Sequence, residues 1–207
     1  MAGRTGFVHI CAEHKTDIAD YKCSLRDSSL TSEECDLIWD FYVAKSFAAE
    51  TGTSIALDLY GWKNTNSKTD GYPALERVLA ANAGISSMCI VRAKTIKDTL
   101  ASLDLSNDRI CITHARVAML QRYTYELDEN ENISIKSKES RINALFRHMR
   151  NALAHGNTYF FDNEMCLFED KDGSKKTASI LIPMRSLIDW IFIIDMNGVI
   201  FKKEKWT

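Results

Sequence analysis

S-K-E-S-R-I-N-A-L-F-R-H-M-R-N-A-L-A-H-G, Ser137 to Gly156, reads as one amphipathic helix whose polar face ends in Arg150, Asn151 and His155. Ile142, Leu145, Phe146, Met149, Ala152 and Leu153 recur at the i, i+3, i+4, i+7 spacing of a core-facing helix. Ser137 is placed to cap its start, and Gly156 suits the left-handed residue that stops a helix. The opposite arc carries Arg141, Asn143, Arg147, His148, Arg150, Asn151 and His155. No acid follows Glu139 along the helix. From Lys136 to Arg150, five Lys/Arg against one Glu give a local charge of +4, in a chain of net charge −2. A basic face on a mildly acidic protein calls for a local anion.

The end of that face has a specific geometry. Arg150 and His155 are separated by about 140° around the helix and about one and a half turns along it. Helical side chains lean toward the N-terminus, so His155 folds back over the turn of Asn151, its i, i+4 neighbour. A guanidinium fork, an amide and an imidazole then meet one phosphate. An imidazole suits acid–base exchange near neutral pH. Arg150, His155 and Asn151 are therefore the candidate catalytic residues, and Arg147, His148 and Arg141 the candidate substrate-binding residues. The spacing alone is unspecific, since Arg4/His9 and Arg109/His114 share it. Only the third copy adds a polar residue after the Arg, an amphipathic helix and a Gly after the His. The plainer alternative is a solvated helix end whose His bonds the last carbonyls.

R-N-A-L-A-H-G-N, Arg150 to Asn157, resembles the signature of the HEPN superfamily. The sharp match covers about 20 residues, and the short strands and final helix after it resemble one plasmid- and genome-encoded branch more loosely. The resemblance implies a small all-α domain with the motif near the end of a bundle helix. It also implies a metal-independent ribonuclease of bacterial toxin–antitoxin, abortive-infection or other defence systems. On that likeness Arg150 binds and polarises the scissile phosphate, and His155 exchanges the proton of the ribose 2′-hydroxyl or the leaving oxygen. Asn151 orients one or both. Two copies meet across a homodimer cleft, RNA is the substrate, and an antitoxin protein is a possible partner. Some members carry a Tyr two places after the His; here that position is Asn157, and the nearest Tyr is Tyr159. The rival function is a non-catalytic RNA- or nucleotide-binding or dimerisation module.

Bulk composition bounds the rest. The chain has 207 residues, 45% hydrophobic and 26% charged, as expected of a soluble globular protein of one domain. No apolar run is long enough for a membrane span, and the N-terminus lacks a signal-peptide pattern, so a cytoplasmic location is expected. Cys11, Cys23, Cys35, Cys89, Cys111 and Cys166 form no C-x-x-C pair and no ligand cluster. They read as reduced, buried thiols. No metal and no cofactor is expected, since the motif face offers no carboxylates for Mg²⁺.

The expected fold is mainly α: a HEPN-like helical bundle with a small C-terminal β-hairpin or meander and a final helix. Residues 1–30 are an extension, 31–156 the bundle including the motif helix, and 157–207 the β-appendage and closing helix. Thr31 and Glu34 form a capping box for a helix running to about residue 50. Gly61 to Tyr72 reads as a polar loop, and Ala74 to Ala83 as a short helix. Met88 to Leu103 and Asp108 to Leu127 read as two further helices, the second antiparallel to the motif helix. His114 falls on the apolar side of that second helix, while Arg116 and Arg122 point elsewhere. After Gly156, T-Y-F-F-D and M-C-L-F-E-D read as a hairpin, with Lys176 to Ile182 a third strand. Leu187, Ile188, Trp190, Ile191 and Ile194 mark the closing helix.

Overall fold

The computed structural model describes residues 15–21, 24–45, 57–65, 69–92, 96–127 and 133–196. Arg4, His9, Cys11 and Cys23, and the end of the helix expected to run from Thr31 to about residue 50, lie outside the described residues.

The described residues build nine strands and five α-helices. In chain order they are β1 (Lys15–Asp17), α1 (Ser32–Trp39), α2 (Gly71–Asn82), β2 (Ser87–Val91), α3 (Lys97–Ser102), β3 (Arg109–Cys111) and β4 (Arg116–Leu120). Then follow β5 (Tyr123–Leu127), β6 (Ile133–Lys138), α4 (Arg141–Ala154), β7 (Thr158–Phe160), β8 (Met165–Asp172), β9 (Lys175–Pro183) and α5 (Ser186–Ile194). A five-stranded mixed sheet runs β2-β4-β9-β8-β7, with β2 parallel to β4 and the other pairs antiparallel. β1 pairs with β3, and β5 with β6, as separate two-stranded ribbons.

This corrects the expected mainly α bundle. The stretch from Met88 to Leu103 is a strand, β2, and a short helix, α3; the stretch from Asp108 to Leu127 holds three strands. The physical reason lies in β4. Val117, Ala118 and Met119 are all fully buried, so the strand has no exposed face and shows no two-residue alternation. A short apolar run buried on both faces cannot be told from a buried helix by periodicity. Ile110, Val117, Leu120 and Tyr123 fell at helical spacing by chance. His114 is correspondingly exposed, not on a core face, while Arg116 is buried with its guanidinium donating to the Cys111 carbonyl. Cys35, Cys89 and Cys166 are thiols, but Cys111 is disulfide-bonded, against the reading of six reduced cysteines.

Other elements form where their local chemistry places them. The Thr31 hydroxyl accepts from Glu34 N at 3.2 Å, and the Glu34 carboxylate accepts from Thr31 N at 3.0 Å, which completes the capping box. The hairpin β7–β8, the strand β9 and the closing helix α5 occupy the expected stretches. α4 starts later than expected. Its cap is Ser140, whose hydroxyl accepts from Asn143 N at 3.1 Å, while Ser137 belongs to β6.

α4 lies between two layers. One side packs on the sheet, chiefly on β8 and also on β4 and β9; the other meets α2 and the turn that extends α1 through Ala44. Phe146 carries the second contact. Its ring lies 5.9 Å from Tyr42 and 6.2 Å, edge-on, from Trp190 of α5. Both partners are anchored through their polar atoms: the Tyr42 hydroxyl donates to Leu187 O at 2.9 Å and Trp190 Nε1 to Leu79 O at 3.1 Å. Apolar rings with satisfied polar tips at one point tie four helices together. Phe146→Ala is expected to cost about 3–5 kcal/mol in urea unfolding. A loss well under 1 kcal/mol would show that α4 is held by the sheet alone.

Candidate active site

α4 ends in a specific stop. Gly156 takes φ +64°, its N–H donates to Leu153 O at 3.2 Å, and the Asn157 N–H donates to Ala152 O at 2.8 Å. These paired bonds are those of a Schellman cap, which needs a left-handed residue at the position of Gly156. His155 is the residue before it, exposed, its N–H bonded to Asn151 O at 3.0 Å. The chain then enters β7 directly, and the Asn157 carbonyl accepts from Glu169 N at 2.9 Å. The cap is thereby stitched to β8, the strand that carries Asp170.

Asp170 joins the motif from across the sheet. Its Oδ2 accepts from Asn151 Nδ2 at 3.1 Å and lies 2.6 Å from His148 Nδ1. Asn151 Oδ1 in turn accepts from Arg150 Nη1 at 2.8 Å. Asp170 thus spans two α4 residues, His148 and Asn151, at i, i+3 spacing on one face. The β8–β9 register shifts between Asp170 and Lys171, and a bulge of this kind re-aims a side chain. Thr177 also hydrogen-bonds the carboxylate.

The network continues toward the start of α4. His148 Nε2 donates to Leu120 O, the last residue of β4, at 2.8 Å. A carbonyl and a carboxylate both accept, so an imidazole donating from both nitrogens satisfies the pair. Arg147 donates Nε and Nη2 to Glu139, each at 2.8 Å, and Nη2 also to Leu120 O at 3.1 Å. Burial pushes the Asp170 carboxyl up, but His148, Asn151 and Thr177 outweigh it and hold it below its ordinary value. Burial acts likewise on Glu139, and Arg147, with the Arg122 N–H and the His148 charge, holds it below its ordinary value.

The expected site residues therefore separate. Arg150 and Asn151 are half-buried and joined to each other, with exposed His155 one turn on. Arg147 and His148, expected to meet substrate, are 4% and 1% exposed and are committed to internal partners. Arg141 is exposed at the opposite end of α4 and pairs with Glu76 at 2.9 Å. Tyr159 is buried in β7. Asp170 was not singled out from the sequence: one acid on a strand carries no local signal of which helix it faces. Among the described residues, no group of three or more His, Cys, Asp or Glu is placed to hold a metal. No helix among them is long and apolar enough to cross a membrane. A cavity of about 280 Å³ lies elsewhere, lined by residues including Tyr60, Trp62, Asp70 and Ile194. There Trp62 of the expected polar loop donates to Ile194 O at 2.9 Å.

The lowered carboxylates fix an acid limb of stability. A folded pKa below the unfolded one means that the unfolded chain binds more protons in acid. The stabilisation is full above the ordinary carboxylate range, about 4, and is lost as the pH falls through the lower folded values. Urea unfolding of the parent is expected to show this loss below about pH 4, and Asp170→Asn to show less of it. At pH 7, Asp170→Ala is expected to cost about 3–5 kcal/mol, because buried His148 and Asn151 lose the acceptor they share, while Arg147 keeps Glu139. A pH profile of Asp170→Asn that superimposes on the parent's would remove the carboxylate from this role.

Comparison with known proteins adds one match. The family described as HEPN pEK499 p136 matches residues 44–205, a span that holds all of α4 with Arg150, Asn151 and His155. No curated protein and no solved structure matches the chain. With most of its length matched, and with the R-N-x-x-x-H motif set in the capped end of α4, the chain belongs to the HEPN family pEK499 p136.

Proposed function

We propose that this protein is a metal-independent endoribonuclease of HEPN type, acting as a homodimer in bacterial defence or toxin–antitoxin function. Family membership assigns it a nucleotide- or RNA-related role. The finer reading is carried by one observation: Asn151 is bonded both to Arg150 and to Asp170, so the motif amide is held in place instead of swinging in solvent. A preorganised donor set at a helix end is what an anionic transition state requires.

Each residue then has a task. Arg150 offers its guanidinium to the non-bridging phosphate oxygens. His155, exposed at the cap, takes the proton of the attacking 2′-hydroxyl or gives one to the leaving 5′-oxygen. The 2′-oxygen bonds to phosphorus as the bond to the 5′-oxygen breaks, which leaves a cyclic phosphate and a 5′-hydroxyl end. Asn151 fixes the orientation of Arg150, and Asp170 fixes Asn151. Arg147 and His148 act at one remove, by clamping α4 to β4 and to Glu139. Arg141 remains a candidate RNA contact at the far end of the helix. A second copy supplies the other wall of the cleft, and an antitoxin protein is the expected restraint.

A fluorescence-quenched RNA in EDTA tests this. The parent is expected to cut, and Arg150→Ala and His155→Ala to lose about 100-fold or more. RNA affinity of His155→Ala should stay near the parent's. Asp170→Asn is expected to lower kcat by about 10- to 100-fold with a smaller change in KM, the mark of a misplaced catalytic group. Cleavage that survives His155→Ala contradicts its role, and unchanged binding with no cleavage in the parent favours a binding module.

A further inference from the structure

The β5–β6 ribbon contributes no residue to the site described above, yet it exposes several large side chains. Every described residue of β6 is exposed. Tyr125 is 57% exposed, Ile133 73% and Ile135 52%. A lone two-stranded ribbon gains little by burial, so such side chains call for a use.

The register sorts its faces. Tyr123 pairs with Lys138 and Tyr125 with Ile135, and residues directly opposite share a face. Tyr123 and Tyr125, two apart on one strand, also share it; their rings lie 6.4 Å apart and 28° from parallel. Arg92, at the end of β2, places its guanidinium 5.6 Å from the Tyr123 ring centroid. One face of the ribbon base is thus a row of cation, ring and ring, with a Lys beside it.

The row is fixed. The Tyr123 hydroxyl donates to Gln121 Oε1 at 2.8 Å. Glu139 N donates to Arg122 O, and Arg122 N to the Glu139 carboxylate, each at 3.0 Å. Glu139 is the residue that clamps Arg147 of α4, so ribbon and motif helix share one anchor.

We propose that this face, Arg92, Tyr123, Tyr125 and Lys138, is a stacking site for single-stranded RNA. Rings that present a π-face, flanked by cations that meet phosphates, bind unpaired bases whatever their sequence. Paired bases in an A-form helix offer no free face, so duplex RNA is excluded. α4 leads from the ribbon base to the motif end, about 20 Å away along the helix. The choice of RNA over DNA rests on the ribonuclease reading; the stacking site does not.

The test is fluorescence anisotropy with a fluorescein-labelled oligouridylate of about 12 nucleotides, a usual site size, in the His155→Ala background so that the strand stays whole. Tyr125→Ala and Tyr125→Leu are expected to weaken binding about tenfold or more, and Tyr125→Trp to retain it. Lys138→Ala should reduce the slope of log affinity against log salt by about 0.7. Affinity unchanged in Tyr125→Ala, or kept by Tyr125→Leu, overturns the proposal. So does a loss of dimer by sedimentation in Tyr125→Ala with affinity unaltered, which would make the face a contact between copies. A parent that binds but does not cut overturns only the ribonuclease reading.

Discussion

The carboxylate of Asp170 sits where a strand meets a helix, and the arrangement of the motif depends on it. At 5% exposure it faces His148, with Arg147 Nη1 4.0 Å away, and it holds the amide of Asn151. A buried charge with partners on two sides is strongly directional: removing it leaves His148 and Asn151 without their shared acceptor. That fixes the face α4 turns to β8. It also fixes which residues stay outside. His148 and Asn151 bond inward to Asp170, so the exposed group at the helix end is His155, held at its place by the Gly156 cap.

The sheet therefore matters to the site as much as the helix does. α4 has helices on one side, gathered on Phe146, and strands on the other. The HEPN motif is kept at the helix end, but the wall behind it is β8, not a bundle helix. The cap feeds directly into β7, and the hydrogen bond from Glu169 N to Asn157 O places β8 beside the motif. The β5–β6 ribbon enters α4 through Glu139. Its partner Arg147 and neighbour His148 both donate to the Leu120 carbonyl, so ribbon, β4 and helix meet at one buried point.

How much of this was legible depended on periodicity. α4 shows a clear apolar arc and a Gly stop, and α1 a capping box, so both were readable. The hairpin after Gly156 was readable from its aromatic and β-branched content, and α5 from its apolar coverage. β2 and β4 were not, because short strands with no exposed face lack alternation. The β-branched and aromatic residues Ile110, Ile112, Val117, Tyr123 and Tyr125 are the strand signal this stretch does carry. The motif residues themselves were legible, since Arg150, Asn151 and His155 are neighbours on one helix. Their support was not. Glu139 and Leu120 reach Arg147 and His148 from other elements, and Asp170 reaches Asn151 across 19 residues and a bulge. Polar residues on a helix face look solvated until the partners that bury them are known.

On the proposed function, Asp170 acts on RNA cleavage only through Asn151 and Arg150. A double-mutant cycle on single-turnover RNA cleavage, with Asp170→Asn, Arg150→Ala and the pair, measures that coupling directly. If Asp170 serves to place Arg150, the pair is no slower than Arg150→Ala alone, so the losses are strongly non-additive. Losses that multiply independently would place Asp170 outside the path to Arg150 and overturn its role in placing that guanidinium.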